Sequence, residues 1–205
     1  MAIDRRGNRA LAAVYDTVMV PLEAFGMRRQ RHRAGAEARG RVLEIGAGTG
    51  AMLPHYGAEV TEVVATEPDP HMLRRAGGRA GRTSIPVRLV EADAQDLPFD
   101  DDTFDTVVTA LSLCTIPAPE AALSEARRVL RGDGQLLFVE HVRSLRPAVG
   151  RVQDLVTPAW RTVAGGCHPN RDTVQTIERA GFRLTSVWRS GKHRGSLVQG
   201  RAEPV

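Results

Sequence analysis

"RVLEIGAGTG", residues 41–50, is an apolar run that stops at three glycines spaced two apart, with a carboxylate, Glu44, two residues before the first of them. A strand that ends in glycines and opens into a helix lets bare backbone approach a ligand closely. Read as Gly46, Gly48 and Ala51, the same loop also satisfies the dinucleotide pattern GxGxxA. The two readings differ in charge. A dinucleotide places a pyrophosphate dianion at the helix N-terminus, where free N–H groups favour negative charge, and Glu44 adds an unfavourable like charge beside it. A cofactor with a cationic end is favoured by the same carboxylate. S-adenosylmethionine carries a sulfonium and an ammonium and no phosphate, so Glu44 suits it and is awkward for NAD. A partly exposed carboxylate without a role is the bland alternative.

Downstream, short apolar runs alternate with helical stretches. "RVLEIG", "VTEVVATE", "VRLVEAD", "FDTVVTALSL" and "GQLLFVEHV" read as strands, and "MLPHY", "PHMLRRAG" and "APEAALSEARRVLRG" as helices. This βαβ alternation predicts a largely parallel sheet with helices on both faces. Pro119, Glu120 and the basic Arg127, Arg128 and Arg131 ahead of Gly132 place a helix over 119–130 with a glycine cap. Residues 143–170 leave the alternation, carry Pro147, Pro158, Gly165, Gly166 and Pro169, and read as a substrate cap. A last helix, "RDTVQTIERAG", leads to "FRLTSVWRSG" and "GSLVQGRA", joined by so short a turn that they pair antiparallel. The expected fold is a single α/β domain over 1–205, a seven-stranded, mostly parallel sheet with the last strand antiparallel. Residues 1–38 form an N-terminal helical lid, 41–142 the cofactor-binding core, 143–170 the cap and 171–205 the last helix and strand pair.

Composition agrees with one globular core. The 205 residues are 42% hydrophobic and 25% charged, and single cores stop growing only at ~250 to 300 residues. The net charge of +4 rests on arginine, since Lys192 is the single lysine, which reads as coding preference. Arg28, Arg29, Arg31, His32 and Arg33 read as a solvated helix face, with an acidic surface or a phosphate-bearing substrate as the functional alternative. Aromatics are 4% and do not alternate with these arginines, which argues against nucleic acid. The terminus "MAIDRRGNRA" lacks the apolar stretch of a signal peptide. Ala10 to Met27, interrupted by Asp16, Pro21 and Glu23, is no transmembrane segment. The amphipathic pattern over Ala10 to Met27 suits a pocket lid and peripheral contact with a membrane surface alike. Cys114 and Cys167 stand 53 residues apart with no CxxC pair and no His/Cys cluster at metal-ligand spacing. No metal site is expected, and a reducing, cytoplasmic setting is.

Two acids stand at successive strand ends, where open α/β sheets bind ligands. Glu67 can accept from both ribose hydroxyls of an adenosine. Asp93 can accept from an adenine exocyclic amine while the N–H of Ala94 meets a ring nitrogen. Each is also readable as a helix cap or surface residue.

With those residues in place, "VLEIGAGTG", "ATEPDPHML", "EADAQDLPFDDDTFDTVV" and "EARRVLRGDGQLLFVEHV" resemble the ordered motifs of the class I S-adenosylmethionine-dependent methyltransferases over about residues 41–142. The resemblance implies a Rossmann-like fold with S-adenosyl-L-methionine as cofactor. It implies that Glu44, Gly46, Ala47, Gly48 and Gly50 hold the methionine end, Glu67 the ribose, and that Pro68 lies against adenine. Leu111 is implied near the transferable methyl. Tyr15 and Asp16 resemble the pair that closes over the cofactor in ubiquinone-type methyltransferases. "ALSLCTIPAPEAALSEARRVLRGDG", "FVEHV" and "GGCHPNRDTVQTIERAGF" are further similar to the small alkyl-thiol methyltransferases, from about residue 14 almost to the end. The chain departs from their animal members in lacking an N-terminal hydrophobic anchor.

Methyl transfer from a sulfonium is an in-line displacement with a neutral leaving group, so positioning and desolvation supply much of the catalysis and no metal is required. A thiol of pKa ~8.5 is already partly thiolate at pH 7. His141, ending strand five, and His168, in the cap, are the general-base candidates, and each is equally readable as a structural histidine. Cys114 reads as a pocket-lining or plain core residue, and Cys167 as a poor metal ligand for want of a third partner. The expected activity is methyl transfer to a small lipophilic acceptor, a thiol ahead of phospholipid or small-molecule N- or O-methylation. An NAD-linked oxidoreductase and a non-catalytic cofactor binder are the other classes.

Overall fold

The computed structural model describes residues 9, 12, 26–190 and 194–205. The strands are β1 (Gly40–Ile45), β2 (Val60–Thr66), β3 (Val87–Val90), β4 (Phe104–Ala110), β5 (Leu130–His141), β6 (Phe182–Arg189) and β7 (Leu197–Pro204). The helices are α1 (Arg28–Glu37), α2 (Pro70–Ala80), α3 (Pro119–Val129), α4 (Pro147–Val163) and α5 (Thr173–Arg179). The strands form one sheet in the order β3-β2-β1-β4-β5-β7-β6. β1 to β5 run parallel, and β7 is antiparallel to both β5 and β6. The seven-stranded α/β expectation therefore holds, with the last strand reversed.

β1 is apolar on both faces because both are covered. Leu43 and Ile45 pack with Leu123, Ala126 and Val129 of α3 and Ile177 of α5. Val42 packs on the other side with Ala34 of α1 and with Met52, Leu53 and Tyr56. The sheet reverses its winding beside β1, which has β2 on one side and β4 on the other. The cleft at the carboxyl ends of β1 and β4 is the topological switch point where such sheets take ligands.

Several local expectations are corrected. "MLPHY" makes only a single 3-10 turn, Leu53–His55. The helix from Pro119 ends at Val129 without a glycine cap: Leu130 is already extended and pairs with Phe104 of β4, and Gly132 lies within β5. Tertiary pairing has overridden the local stop signal. β4 ends at Ala110 because Leu111 takes a left-handed φ of 62°. Residues 143–170, expected as a cap, contain α4, which starts on Pro147 and runs through Pro158. Arg31 does not belong to a solvated face. It is buried on α1 with Gln30, Ala34 and Gly35, while Arg28, Arg29 and His32 are exposed.

Gly200, in the middle of β7, shows how tightly the sheet's antiparallel edge is packed. A Cβ there would meet Ser186 O at 2.4 Å and Phe138 Cζ at 2.5 Å. Gly200→Ala is therefore expected to lower stability by about 2 kcal/mol, although alanine ordinarily suits a strand better than glycine. Urea unfolding tests this; an unchanged midpoint would mean that β6 yields freely.

Candidate active site

Pairing register brings the site together. Ile45 lies opposite Thr66 of β2 and Thr109 of β4, and Thr66 lies opposite Val90 of β3. Gly46 and Glu67 therefore leave the sheet side by side at one level. Thr66 Oγ1 donates to Glu44 O at 3.0 Å and Ala47 N donates to Thr66 O at 2.9 Å, fastening the loop to β2. Gly46, at φ 69°, leaves no room for a Cβ, which would fall 2.6 Å from that of Ser112. Gly48, at φ 57°, has no atom within 4 Å of where a Cβ would stand. Its bare backbone thus borders open space, as close approach by a cofactor requires.

Glu67 is drawn back onto this loop. Its Oε2 accepts from Gly48 N at 2.9 Å and its Oε1 from Asp69 N at 3.0 Å. A carboxylate has about four acceptor sites, so capacity remains on both oxygens for ribose hydroxyls. Burial raises its pKa against the lowering effect of those two N–H donors.

Glu44 is not a surface carboxylate. It is 2% exposed, and Tyr56 Oη donates to its Oε2 at 2.9 Å. Burial pushes its pKa to about 7, offset in part by the Tyr56 hydrogen bond and the Arg31 charge. At neutral pH the group is poised between forms, and a cation arriving beside it favours the ionised one.

Asp93 is engaged within its own turn: Oδ1 accepts from Gln95 N and Gln95 Nε2, both at 2.9 Å. Gln95 Oε1 in turn accepts from Ala118 N at 3.1 Å, at the entry to α3. Ala94 is buried against the core and Pro68 half-buried beside Glu67. Leu111 N donates to Val139 O at 2.8 Å, which holds its strained residue at the end of β4. Tyr15 and Asp16 lie outside the described residues.

Glu140 escaped the sequence reading. Fully buried near the end of β5, it accepts from Ser112 N and Leu113 N at 3.1 Å and from Cys114 N at 3.4 Å, shaping the turn after β4. Burial raises its pKa and these three N–H donors lower it. Its one signal was an acid directly following the apolar run Leu136–Val139.

Both candidate histidines reach this end of the sheet. His168 N donates to Cys114 O at 2.7 Å, and its Nδ1 stands 3.3 Å from the same oxygen. A carbonyl only accepts, so Nδ1 carries the hydrogen and Nε2 the lone pair. Burial, then the charges of Arg171 and Arg161, lower the His168 pKa, so the ring is neutral at pH 7. His141 Nδ1 lies 3.8 Å from Cys167 Sγ, which lies 3.5 Å from Cys114 Sγ. The expectation that Cys167 lacks partners is thereby corrected: local spacing cannot register residues that the fold gathers from three elements. Its hydrogen bond with Cys114 and the neighbouring imidazole hold the Cys167 thiol well below the usual range, and the same bond, then burial, raises Cys114.

Known proteins share this chain's sequence pattern and fold. Residues 43–138 match the family model described as a methyltransferase domain. The phosphatidylethanolamine N-methyltransferase of Cereibacter sphaeroides is 41% identical over 116 residues, 55% of this chain and 57% of that protein. The thiol S-methyltransferase TMT1B of Mus musculus is 32% identical over 177 residues, 82% of this chain and 72% of the relative. The chain thus spans little more than half the length of the first relative. A solved SAM-dependent methyltransferase from Aquifex aeolicus superposes with a TM-score of 0.69 at 20% identity, covering 97% of this chain and 99% of its own, and shares the fold. The chain belongs to the class I S-adenosylmethionine-dependent methyltransferases, whose family and fold imply S-adenosylmethionine as cofactor. No helix among the described residues is long and apolar enough to cross a membrane.

Two measurements check the carboxylates. Glu67→Ala is expected to weaken S-adenosylhomocysteine binding at least ~10-fold, or ~1.4 kcal/mol, with unchanged circular dichroism; wild-type affinity in calorimetry would remove Glu67 from the site. For Glu44, a folded pKa of about 7 against an unfolded ~4.3 means that the folded state holds the proton more tightly. Stability is then lost as pH rises through that window, by about 4 kcal/mol in all. Glu44→Gln is expected to gain on wild type between pH 5 and 8 in urea unfolding, and parallel curves would contradict the assignment.

Proposed function

We propose that the chain transfers a methyl group from S-adenosylmethionine to a small, lipophilic nucleophile, a thiol foremost. The observation that carries the acceptor class is the apolar surface beside the acceptor end. Val149, Val152, Leu155, Val156 and Trp160 of α4 are all exposed, Leu155 to 80%, and the helix leads directly into the turn bearing Cys167 and His168. Exposed apolar surface on this scale marks an interaction site, and a lipophilic acceptor entering there meets these side chains. The similarity to thiol S-methyltransferase TMT1B over 82% of the chain supports a thiol.

S-adenosylmethionine supplies a methyl on a sulfonium, whose departure leaves a neutral thioether. The residues proposed to hold it are Glu44, Gly46, Ala47, Gly48 and Gly50 at the methionine end, Glu67 at the ribose, and Pro68, Asp93 and Ala94 around adenine, with Leu111 beside the methyl. The left-handed Leu111 is held by Val139 O and followed by the turn that Glu140 ties, so the floor beneath the reacting atoms is rigid. His168 brings a neutral imidazole whose Nε2 takes the acceptor proton. A thiol asks little of it, being partly ionised at neutral pH. The free thiols Cys114 and Cys167 suit a reducing cytoplasm.

Purified protein given S-adenosylmethionine and a small alkyl thiol is expected to release S-adenosylhomocysteine in proportion to thiol, above a no-acceptor control. The 41% identical phospholipid N-methyltransferase supplies the competing reading. Turnover on phosphatidylethanolamine vesicles with none on thiols would overturn the thiol acceptor while keeping the methyltransferase.

A further inference from the structure

Cys114, His141 and Cys167 come from the turn after β4, the end of β5 and the turn after α4, and two sulfurs and a ring nitrogen, one ligand atom from each, lie within 4.8 Å of one another. We propose that they form a binding site for a thiophilic divalent cation of the Zn²⁺ class, with the fourth coordination position left to a ligand from outside.

The spacing matches the chemistry. Zn–S bonds of ~2.3 Å and Zn–N bonds of ~2.0 to 2.1 Å at tetrahedral angles put the two sulfurs ~3.8 Å apart and each ~3.6 Å from the nitrogen. The sulfurs here are 3.5 Å apart, and Cys167 Sγ is 3.8 Å from His141 Nδ1. The third edge, Cys114 to His141, lies within 4.8 Å and closes onto the ion by at most ~1.2 Å on the same metal geometry. Two thiolates and an imidazole favour Zn²⁺ over Mg²⁺ or Ca²⁺, which take oxygen ligands.

Each ligand is held by its own framework. Cys114 N donates to the buried Glu140, and Cys114 O accepts from His168 N, which ties the two cysteine-bearing turns together. His141 is fixed by pairing with Leu197 of β7. Cys167 N donates to Ala164 O behind Gly165 and Gly166, both at positive φ. Arg171 reaches between the same turns, its Nη1 donating to Leu113 O and Ile116 O. Two thiolates, a neutral imidazole and a divalent cation sum to zero, so this arginine meets no net charge. Among the described residues no fourth His, Cys, Asp or Glu joins the cluster. Three protein ligands and one exogenous ligand is the arrangement of catalytic zinc sites, Cys₂His among them. His141 is only half-buried, which leaves a way in. The site stands whether or not the acceptor is a thiol, since metal occupancy is read without S-adenosylmethionine or turnover.

The test is anaerobic Co²⁺ titration of the metal-free full chain under a phosphine reductant, with both thiols first shown free. One Co²⁺ per chain is expected, with thiolate-to-cobalt charge-transfer absorption in the near ultraviolet and the visible bands of tetrahedral cobalt, both abolished by Zn²⁺. Cys167→Ser and His141→Gln, checked as folded by circular dichroism, are each expected to weaken binding at least ~10-fold. Adding an alkyl thiol is expected to shift the visible bands. Absence of the charge-transfer band in folded wild type, or its survival in both variants, would overturn the site. Visible bands indifferent to thiol would overturn the open position.

Discussion

The parallel hydrogen bonding of β1 to β2 on one side and β4 on the other is the constraint on which the rest of the molecule depends. It sets Ile45 level with Thr66 and Thr109, so the residues that follow emerge together at one edge. A slip of one residue would turn Glu44 to the opposite face and separate Gly48 from Glu67. The glycines then act locally, since Gly46 fits only because it has no side chain against Ser112. The residues proposed to hold the cofactor gather at this edge because the register brings them out together.

The same edge collects buried carboxylates. Glu44, Glu67 and Glu140 are each raised by burial, and each is compensated differently. Glu140 has three backbone N–H donors, and its role is to shape the turn that presents Cys114. Glu67 has two, with acceptor capacity to spare. Glu44 has a tyrosine hydroxyl and a neighbouring guanidinium, which leave it near half-ionised at neutral pH. Buried acids left incompletely compensated are costly to a fold, and the cationic end of the cofactor, on the proposed assignment, would give Glu44 the compensation that its protein neighbours supply only in part.

The strands were legible because a sheet covered on both faces writes its interior as unbroken apolar runs, and "RVLEIGAGTG" carries strand, turn and loop in ten residues. The placement of Glu67 one residue past β2 was legible for the same reason. α4 was hidden by Pro147 and Pro158, which read as breakers yet occupy its first turn and its interior. Arg31 looked like one basic residue among several, and only the packing of α1 turns it inward toward Glu44. The cluster of Cys114, His141 and Cys167 has no local spacing to detect, because β4, β5 and the turn after α4 meet only in the folded chain.

Backbone hydrogen exchange with and without S-adenosylhomocysteine tests most directly whether this edge holds the cofactor. The account predicts added protection confined to residues 44–50, 67–69, 93–95 and 111–114, the loops leaving β1, β2, β3 and β4. Protection centred elsewhere, in protein shown by calorimetry to bind the ligand, would contradict it.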